Sequence, residues 1–320
     1  MPSLPNNSLS ISVVCYQSDR RELEQLIASI LSCVAELRSK QPDGANFGSS
    51  RMEGTRFENN EPDPASKPRP KKAEPGKDGS PQTIPVYLID NSEVSELLLA
   101  DFEDCQRQAD QLGVELRLIH GQGNVGYGAA HNLIINNLNT GFHLMLNPDV
   151  VLDRQFLAAG INYLIDHDDV ALAVPMASHE NGERQFLCKR YPSVLTLFVR
   201  GFLPRNIHKL FSKRLARYEM RDLQGDQINK DIPIGSGCCM LSRSSVLTAV
   251  NGFDERYFLY FEDFDLSLRI RRHGRIAYLP TMEIVHGGGY AARKGLSHVR
   301  MFIRSAIRFF NAYGWRWFNQ

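Results

Sequence analysis

The sequence predicts an α/β fold in which helices flank a mostly parallel sheet. Short apolar runs rich in β-branched residues alternate along the chain with longer segments of helical periodicity. Such alternation requires crossover connections, which join parallel strands. Of the 320 residues, 42% are hydrophobic and 23% are charged, which is enough apolar material for one or two cores. In sheets of this kind, ligands bind beyond the carboxyl ends of the strands.

The first half of the chain supplies strand and helix patterns in turn. The run "SISVVCY" (10–16) predicts a buried strand, and an amphipathic helical pattern follows it. Residues 40–83 are crowded with Pro, Gly, Asn, Lys and Glu, so they cannot bury enough apolar surface to offset their ordering entropy. We expect them to form a disordered insertion. A strand over 83–92 and a helix over about 94–112, ending at Gly113, resume the pattern.

Polar residues occur where the predicted strands end. Asp90 ends the strand over 83–92, Asn124 lies in the loop after a third strand (114–119), and Asp149 ends the strand "FHLMLNPDV". The carboxyl ends of parallel strands meet at one edge of a sheet. We therefore expect these three side chains to share a crevice.

The loop "GQGNVG" (121–126) has more than one interpretation. It matches G-x-G-x-x-G, follows a strand and opens a helix, as a dinucleotide-binding fingerprint would, and Asp149 lies 23 residues after Gly126. Against that interpretation, this is the third strand–helix junction of the chain rather than the first. The glycines could also make only a tight turn. We favour a loop whose backbone and Asn124 lie against a nucleotide.

Two residues are candidate metal ligands. Pro148 favours a turn that would hold the Asp149 carboxylate at the mouth of the sheet. A carboxylate there can help to hold Mg²⁺ or Mn²⁺, since these hard cations take oxygen ligands and bridge phosphates. A turn without a ligand explains the same residues. His286 ends a later apolar strand before three glycines, so it fits either a structural hydrogen bond or a metal or phosphate contact.

The stretch "FLYFEDFDLSLRIRRHG" (258–274) sets three acids beside aromatic residues. Glu262 and Asp263 would lie in the first turn of a helix, where the helix dipole favours negative charge. Asp265 is expected to form an ion pair with Arg269, at i and i+4, on the surface of that helix. Aromatic neighbours also lower the local polarity, which raises carboxylate pKa values towards those of a general base.

Two segments combine basic and apolar residues. Residues 189–220 predict a basic amphipathic helical segment, and residues 290–320 predict a C-terminal amphipathic helix followed by an aromatic tail. In that helix we expect a basic face of Arg300, Arg304 and Arg308, and an apolar face of Val299, Phe302, Ile303, Ala306, Ile307 and Phe310. Both segments could pack on the core and present a solvated basic face. The alternative is docking on anionic lipid.

Overall composition argues against several classes of protein. The formal net charge is +1, so no global field attracts the chain to nucleic acid or to a membrane, and any such attraction must come from local patches. The six cysteines form no C-x-x-C pair, which favours reduced structural thiols. The first residues lack the basic and apolar regions of a signal peptide, and we find no run of about 18 apolar residues. We therefore expect a cytoplasmic protein.

Several motifs, taken in order, resemble the inverting nucleotide-sugar glycosyltransferases of family 2, which have the GT-A fold. They are "SVVCYQ", "LIDNS", "GNVGYGAAHN", "LNPDVVL", "GSGCCMLSRSSV", "NGFDERYFLYFEDFDLSLRIRRHG" and "YLPTMEIVHGGG". The branch is similar to the bacterial rhamnosyltransferases that build O-antigen and related surface polysaccharides. The resemblance implies a GT-A domain over 1–289, including the 40–83 insertion and the 189–220 segment, with 290–320 as a helical extension.

The resemblance also implies a role for each candidate residue of the nucleotide and acceptor sites. Asp90 would hydrogen-bond the pyrimidine base of the donor, and Asn124 and Gly126 would line the nucleotide. Asp263 would be the general base that deprotonates the acceptor hydroxyl, with Glu262 shaping the pocket beside it.

A divalent cation, Mg²⁺ or Mn²⁺, is implied by the same resemblance. Asp149 would be the metal-binding acid of the family's D-x-D motif, and His286 would be a further ligand. Asn147 stands in place of the first Asp of that motif, which puts strict metal dependence in question.

The implied reaction moves a sugar from a nucleotide-diphosphate donor to a glycan or polyprenyl-linked acceptor. L-Rhamnose and a dTDP-linked donor are favoured, and peripheral contact with the inner membrane would suit a lipid-linked acceptor. The alternatives are an NAD-linked oxidoreductase, which rests on "GQGNVG", and a non-catalytic protein that binds nucleotide sugars.

Overall fold

The computed structural model describes most of the chain, namely residues 8–39, 83–95, 97–223, 225–287 and 295–318. The predicted insertion over 40–83 lies outside the described residues, except for residue 83. The elements that flank it, a helix ending at Ser39 and a strand beginning at Ile84, contribute to the same hydrophobic core.

Within these residues, nine strands form one sheet. Their bounds are β1 Leu9–Cys15, β2 Ile84–Asp90, β3 Val114–Ile119, β4 Phe142–Leu146, β5 Val150–Leu152, β6 Val170–Ser178, β7 Arg184–Gln185, β8 Cys239–Arg243 and β9 Arg275–His286. The order is β3–β2–β1–β4–β8–β6–β9–β5, and β7 pairs with β6. The first four strands in this order are parallel, whereas β8 is antiparallel to both β4 and β6. The α/β class is confirmed, but the second half of the sheet is mixed rather than mostly parallel.

Helices cover both faces of this sheet. Their bounds are α1 Arg20–Ser39, α2 Glu103–Gln111, α3 Tyr127–Ile135, α4 Phe156–Asp166, α5 Val194–Phe202, α6 Arg205–His208, α7 Ser212–Tyr218, α8 Ser244–Ala249, α9 Glu262–Ile270 and α10 Leu296–Tyr313. Alternate residues of β4 show the two faces: Leu144 joins a core with α1 and α4, and Met145 joins a core with α8 and α9. Each fully buried Leu or Ile contributes about 1.5–3 kcal/mol to these cores.

The helix predicted over about 94–112 begins later than expected, because α2 starts only at Glu103. A 3₁₀ turn over Leu99–Phe102 precedes α2. The Asp90 carboxylate explains why no helix begins directly after β2. It accepts hydrogen bonds from the Ser92 N–H (3.0 Å) and from the Ser95 hydroxyl (2.6 Å). These bonds hold the chain after β2 in a turn, which competes with helix formation.

A third core joins the basic segment over 189–220 to α10. It contains the buried side chains of Leu197, Tyr218, Tyr257, Phe261, Phe309 and Phe310. The residues after α10 extend the contact. The Arg316 carbonyl accepts a hydrogen bond from the Val194 N–H (2.8 Å), and the Trp317 carbonyl accepts one from the Leu195 N–H (3.1 Å). The two basic segments predicted from the sequence are therefore packed side by side.

The apolar face of α10 differs from the sequence prediction. Ile303 and Ile307 were expected to face the core, but each is 46% exposed and shares the solvent side of the helix with Arg300 and Arg304. The reason is Phe309, which is fully buried and was absent from the predicted face. Its burial rotates the core-facing side of the helix away from the two isoleucines.

Candidate active site

The carboxyl ends of the parallel strands and the loop before α3 meet at one edge of the sheet. Asp90, the last residue of β2, is paired in register with Cys15, the last residue of β1. The Gln122 side chain, from the "GQGNVG" loop, donates a hydrogen bond to the Asp90 carbonyl (2.7 Å). The convergence of Asp90 and this loop, expected from the topology, is therefore present.

The acidic turn after β4 and the start of α9 approach the same residue, Cys238. The Asn147 N–H, at the start of the turn, donates to the Cys238 carbonyl (2.8 Å). Burial, and then the charges of Asp149 and Asp263, raise the pKa of the Cys238 thiol to about 12. The two candidate acids therefore act on one buried side chain from different elements of the fold.

Two asparagines fix the "GQGNVG" loop to the end of β2. Asn91 donates through Nδ2 to Asn124 Oδ1 (3.1 Å) and accepts from the Val125 N–H (3.2 Å). Asn124 Oδ1 also accepts from the Gly126 N–H (3.3 Å). Asn124 was predicted from the sequence, whereas Asn91 was not. Its position directly after Asp90 in "LIDNS" was the available indication.

Gly126 is required by a close approach of protein backbone. It has a φ of +94°, and a Cβ atom at this position would lie 2.6 Å from the carbonyl oxygen of Phe258. That carbonyl accepts a hydrogen bond from the Tyr127 N–H (3.1 Å), at the start of α3. The loop predicted to line a nucleotide is therefore also bound to the aromatic run that precedes Glu262 and Asp263.

Helix α9 begins at Glu262 after two residues in a strained conformation. Tyr260 and Phe261 have φ values of +70° and +67°, and such values are uncommon for bulky residues. The Phe261 ring is buried, with its centroid 5.2 Å from that of Phe309 on α10. The aromatic run thus packs on the C-terminal helix, and the two acids follow directly from this anchored position.

Backbone donors hold both carboxylate oxygens of Asp263. Oδ2 accepts from the Gly237 N–H (2.9 Å), and Oδ1 accepts from the Phe264 N–H (2.9 Å). Burial raises the pKa of the Asp263 carboxyl, whereas these hydrogen bonds and the positive charge of Lys189 offset part of the rise. A carboxylate with a raised pKa and fixed orientation has the properties of a general base.

Glu262 forms a coupled pair of acids with Asp263. Its side chain is buried, and its Oε2 atom has no hydrogen-bond partner among the described residues. Burial, followed by the Asp263 charge, raises the pKa of Glu262 well above its usual range. The pKa of Glu262 is therefore displaced further from its usual range than that of Asp263, which favours Asp263 as the charged member of the pair.

Asp265 has a structural role, as the sequence predicted, but in a buried setting. Its Oδ2 atom accepts from Arg269 Nε (2.7 Å), which confirms the expected i, i+4 pair. Its Oδ1 atom accepts from the Tyr313 hydroxyl (2.6 Å) at the end of α10. Only 5% of the Asp265 side chain is exposed, so this is not the surface ion pair that the sequence suggested.

Asp149 and His286 lie next to each other across the antiparallel pairing of β5 with β9. His286 Nε2 is 3.4 Å from Asp149 Oδ1. Gln185 fixes the ring: its Nε2 donates to the His286 carbonyl (2.6 Å), so its Oε1 accepts from His286 Nδ1–H (2.9 Å). His286 Nε2 therefore faces the carboxylate, and a proton or a cation between the two atoms satisfies both. The donor set of one oxygen and one imidazole nitrogen fits a divalent cation.

Fewer protein ligands occur here than a closed metal site requires. Within the part of the chain that the structure describes, no group of three or more His, Cys, Asp or Glu side chains is arranged to hold a metal ion.

The described residues also contain no helix with the length and apolarity needed to cross a bilayer.

Three further residues near Asp263 were missed by sequence reasoning. The Tyr127 hydroxyl donates to the Gly237 carbonyl (2.6 Å), and the N–H of the same glycine holds Asp263. Lys189 is buried, donates to the Phe186 carbonyl, and has its pKa lowered to about 8 by burial. Tyr127 and Gly237 belong to quoted motifs, but only tertiary structure brings them to Asp263.

Comparison with known proteins places the chain in a family. Residues 80–300 match the family described as "Glycosyltransferase like family 2". N-acetylglucosaminyl-diphospho-decaprenol L-rhamnosyltransferase of Mycobacterium tuberculosis is 28% identical over 249 residues, covering 71% of this chain and 74% of that protein. Rhamnosyltransferase WbbL of Escherichia coli K12 is 25% identical over 198 residues, covering 58% of this chain and 70% of that protein.

Solved structures share the fold at low sequence identity. GalNAc-T7 with UDP, GalNAc and Mn²⁺ superposes with a TM-score of 0.54 and 11% identity, covering 95% of this chain and 48% of that one. S. aureus TarS 1-349 in complex with UDP-GlcNAc gives a TM-score of 0.50 and 12% identity, covering 95% and 67%. The fold is GT-A. Membership of a glycosyltransferase family, rather than the fold, argues against the NAD-linked oxidoreductase that the loop "GQGNVG" suggested. The chain belongs to glycosyltransferase family 2 and is a transferase enzyme with rhamnosyltransferase relatives.

Proposed function

We propose that the protein is an inverting glycosyltransferase that moves L-rhamnose from a dTDP-linked donor to a glycan or polyprenyl-linked acceptor in bacterial surface polysaccharide synthesis. The observation that carries the proposal is Asp263, an oriented carboxylate with a raised pKa at the start of α9. The choice of sugar is supported by the names of two relatives, both rhamnosyltransferases. The choice of a polyprenyl-linked acceptor follows the name of the mycobacterial relative.

In the proposed reaction, Asp263 is the general base. The acceptor hydroxyl gives its proton to the Asp263 carboxylate while its oxygen bonds to the anomeric carbon. The bond between that carbon and the nucleotide diphosphate breaks on the opposite face, and the diphosphate leaves with the electron pair. A single displacement inverts the anomeric centre. General-base assistance of this kind contributes ~10²–10⁴-fold to the rate.

The surroundings of Asp263 favour this role in two ways. The N–H groups of Gly237 and Phe264 fix the plane of the carboxylate while leaving a lone pair on each oxygen. The raised pKa of Glu262 favours its neutral form, which adds no second negative charge beside the base. We assign Tyr127 a positioning role, because its hydroxyl holds the Gly237 carbonyl.

We assign Asp149 and His286 to a divalent cation, Mg²⁺ or Mn²⁺, with Gln185 orienting the histidine ring. When bound, such an ion would stabilise the negative charge that develops on the leaving diphosphate. Two protein ligands suit an ion whose other ligands are donor phosphate oxygens and water. Asn147 is not assigned as a ligand, since its side chain cannot supply the charge of the missing Asp of D-x-D.

We assign the donor nucleotide to the edge formed by Asp90, Asn124 and Gly126. Asp90 accepts two hydrogen bonds from its own turn, so its contact with a pyrimidine base would use the remaining lone pairs. Residues 1–289 would be the catalytic domain and 290–320 its extension. We place the reaction in the cytoplasm, at the inner membrane where a polyprenyl-linked acceptor resides.

The test is a donor-hydrolysis and transfer screen across nucleotide sugars, with dTDP-rhamnose among them and with Mg²⁺, Mn²⁺ or a chelator. The proposal expects turnover of dTDP-rhamnose above the other donors and inversion at the anomeric carbon by NMR. Preferred turnover of another sugar would refute the donor assignment. Retention of configuration would refute the single displacement.

A further inference from the structure

Acidic residues are absent from two long segments of the sequence. Residues 184–218 contain nine Lys and Arg, residues 284–320 contain six, and neither segment contains Asp or Glu. The whole chain has 37 Lys and Arg against 36 Asp and Glu, so the two segments are a strong local departure from balance. Hydrogen bonds join the start of α5 to the residues after α10, and α5, α7 and α10 share the third core. The basic residues of these three helices therefore lie on neighbouring elements.

Apolar side chains are exposed on the same part of the molecule. Phe198 and Phe202 on α5 are 51% and 43% exposed, and their rings stack with centroids 5.8 Å apart. Phe202 also contacts the ring of Phe302 on α10, at 6.4 Å, and the exposed Ile303 follows directly in the chain. The exposed sides of the two helices are therefore adjacent. We name the aromatic–basic surface by six residues: Phe198, Phe202, Arg300, Ile303, Arg304 and Ile307.

The arginines of this surface are not engaged by acids. Among the residues that the structure describes, no carboxylate lies within ion-pair distance of Arg300 or Arg304, and both side chains are exposed. The situation differs at the border of the surface, where Arg200 Nε lies 3.3 Å from Glu219. Exposed Phe and Ile side chains that form a contiguous apolar patch on a protein usually mark a contact surface, and here that patch is bordered by these basic groups.

We propose that the aromatic–basic surface docks the protein on an anionic lipid bilayer. Arginines attract the negative headgroups, while phenylalanine and isoleucine side chains enter the boundary of the acyl region. A soluble polyanion such as a nucleic acid would satisfy the arginines but would leave Ile303 and Ile307 in water. The purpose of this docking, access to a lipid-linked acceptor, rests on the proposed function. The composition and exposure of the surface do not depend on that function.

Docking on this surface would also bring the candidate base near the membrane. Phe302, beside the exposed isoleucines, contacts the ring of Phe261 at 5.3 Å, and Phe261 precedes the acids of α9. The Ser305 hydroxyl donates to the Leu259 carbonyl (2.9 Å) on the same run. One helix, α10, therefore carries the docking residues on one side and supports the start of α9 on the other.

The test is co-sedimentation of the full chain with vesicles of phosphatidylcholine alone and of phosphatidylcholine mixed with phosphatidylglycerol. We expect binding to the mixed vesicles only, with release at high salt, because screening acts over about 8 Å at physiological ionic strength. Arg300→Glu/Arg304→Glu should weaken binding by at least about 30-fold, given the contribution of each basic residue near an anionic surface. Ile303→Ser/Ile307→Ser should also weaken it, by about tenfold.

The control is Arg271→Glu/Arg272→Glu, which makes the same change of charge at exposed residues after α9. It should bind mixed vesicles like the wild type. Equal losses of vesicle binding in the control and in the α10 arginine variant would overturn the proposal. A wild type that binds single-stranded DNA but does not bind the mixed vesicles would also overturn it. Donor hydrolysis separates the two proposals. A wild type that turns over donor but ignores vesicles refutes docking alone, and the reverse refutes the proposed transfer alone.

Discussion

Replacement of Asp263 by Asn is the most direct test of the candidate base. The variant keeps the size of the side chain but cannot accept the proton of the acceptor hydroxyl. Loss of a general base costs ~10²–10⁴-fold in kcat, which corresponds to about 2.7–5.4 kcal/mol in the activation free energy. Donor affinity should change little, because the proposed base faces the acceptor rather than the nucleotide.

The structure adds a stability cost to this substitution. Both Asp263 oxygens accept a backbone N–H, from Gly237 and from Phe264. An amide has only one acceptor oxygen, so its NH₂ group would face one of the two donors. An unsatisfied buried donor costs about 1–3 kcal/mol, so the Tm should fall by several degrees. A folded domain retains about 5–15 kcal/mol of stability, so this loss does not explain a large fall in kcat.

Asp265→Asn is the informative comparison, because it should lower the thermal stability and leave kcat nearly unchanged. The substitution removes the charge that faces Arg269, in a pair whose acid is only 5% exposed. Breaking a buried pair from one side costs about 3–5 kcal/mol, so the Tm should fall further than for Asp263→Asn. The kcat per folded molecule should remain near that of the wild type. Near-normal kcat in Asp263→Asn, or loss of kcat at unchanged Tm in Asp265→Asn, would refute the assignment.

Three further predictions follow from the site. In urea titrations, Gly126→Ala should lower the free energy of unfolding more than Gly123→Ala. Both glycines have a positive φ, but only a Cβ atom at position 126 would lie against the protein backbone. Equal losses of stability in the two variants would contradict this. The free energy of unfolding of Glu262→Gln should rise relative to that of the wild type as pH increases from about 5 to 8, because the raised pKa of Glu262 makes the folded wild type hold a proton that its unfolded state releases. Parallel stability–pH curves for the two proteins would exclude a raised pKa. Asp149→Ala should abolish the metal-dependent binding of a nucleotide diphosphate, as measured by calorimetry. The control is Asp153→Ala, which removes a turn acid after β5 and should leave this binding intact. Unchanged affinity in Asp149→Ala would remove Asp149 from the metal site.

Local patterns predicted much of the fold. The apolar positions of α1 recur at helical spacing, and Leu23, Leu26 and Ile27 are fully buried as that spacing requires. The polar ends of β2 and β4 also lie at the expected edge of the sheet. These features depend on residues close in sequence, so periodicity and turn chemistry are sufficient to place them.

Long-range contacts explain what the sequence could not predict. Asp265 was interpreted as half of a surface pair, because Tyr313, which covers it, lies 48 residues further along the chain. Ile303 is exposed because the third core buries the Phe309 ring of α10 instead. The Tyr127 contact with Gly237 spans 110 residues. None of these contacts leaves a periodic pattern in the sequence.

The strained residues before α9 connect these observations. Tyr260 and Phe261 hold backbone conformations that cost on the order of 1–3 kcal/mol each, and such strain persists only where the surroundings impose it. Burial of the Phe261 ring against Phe309 contributes about 1.5–3 kcal/mol, comparable to the cost at that residue. The aromatic run beside the acids is therefore explained by support from α10 rather than by contact with an acceptor alone. Because the same helix exposes Arg300 and Ile303, a bilayer bound at these residues would act on the helix that supports the turn from which Glu262 and Asp263 begin.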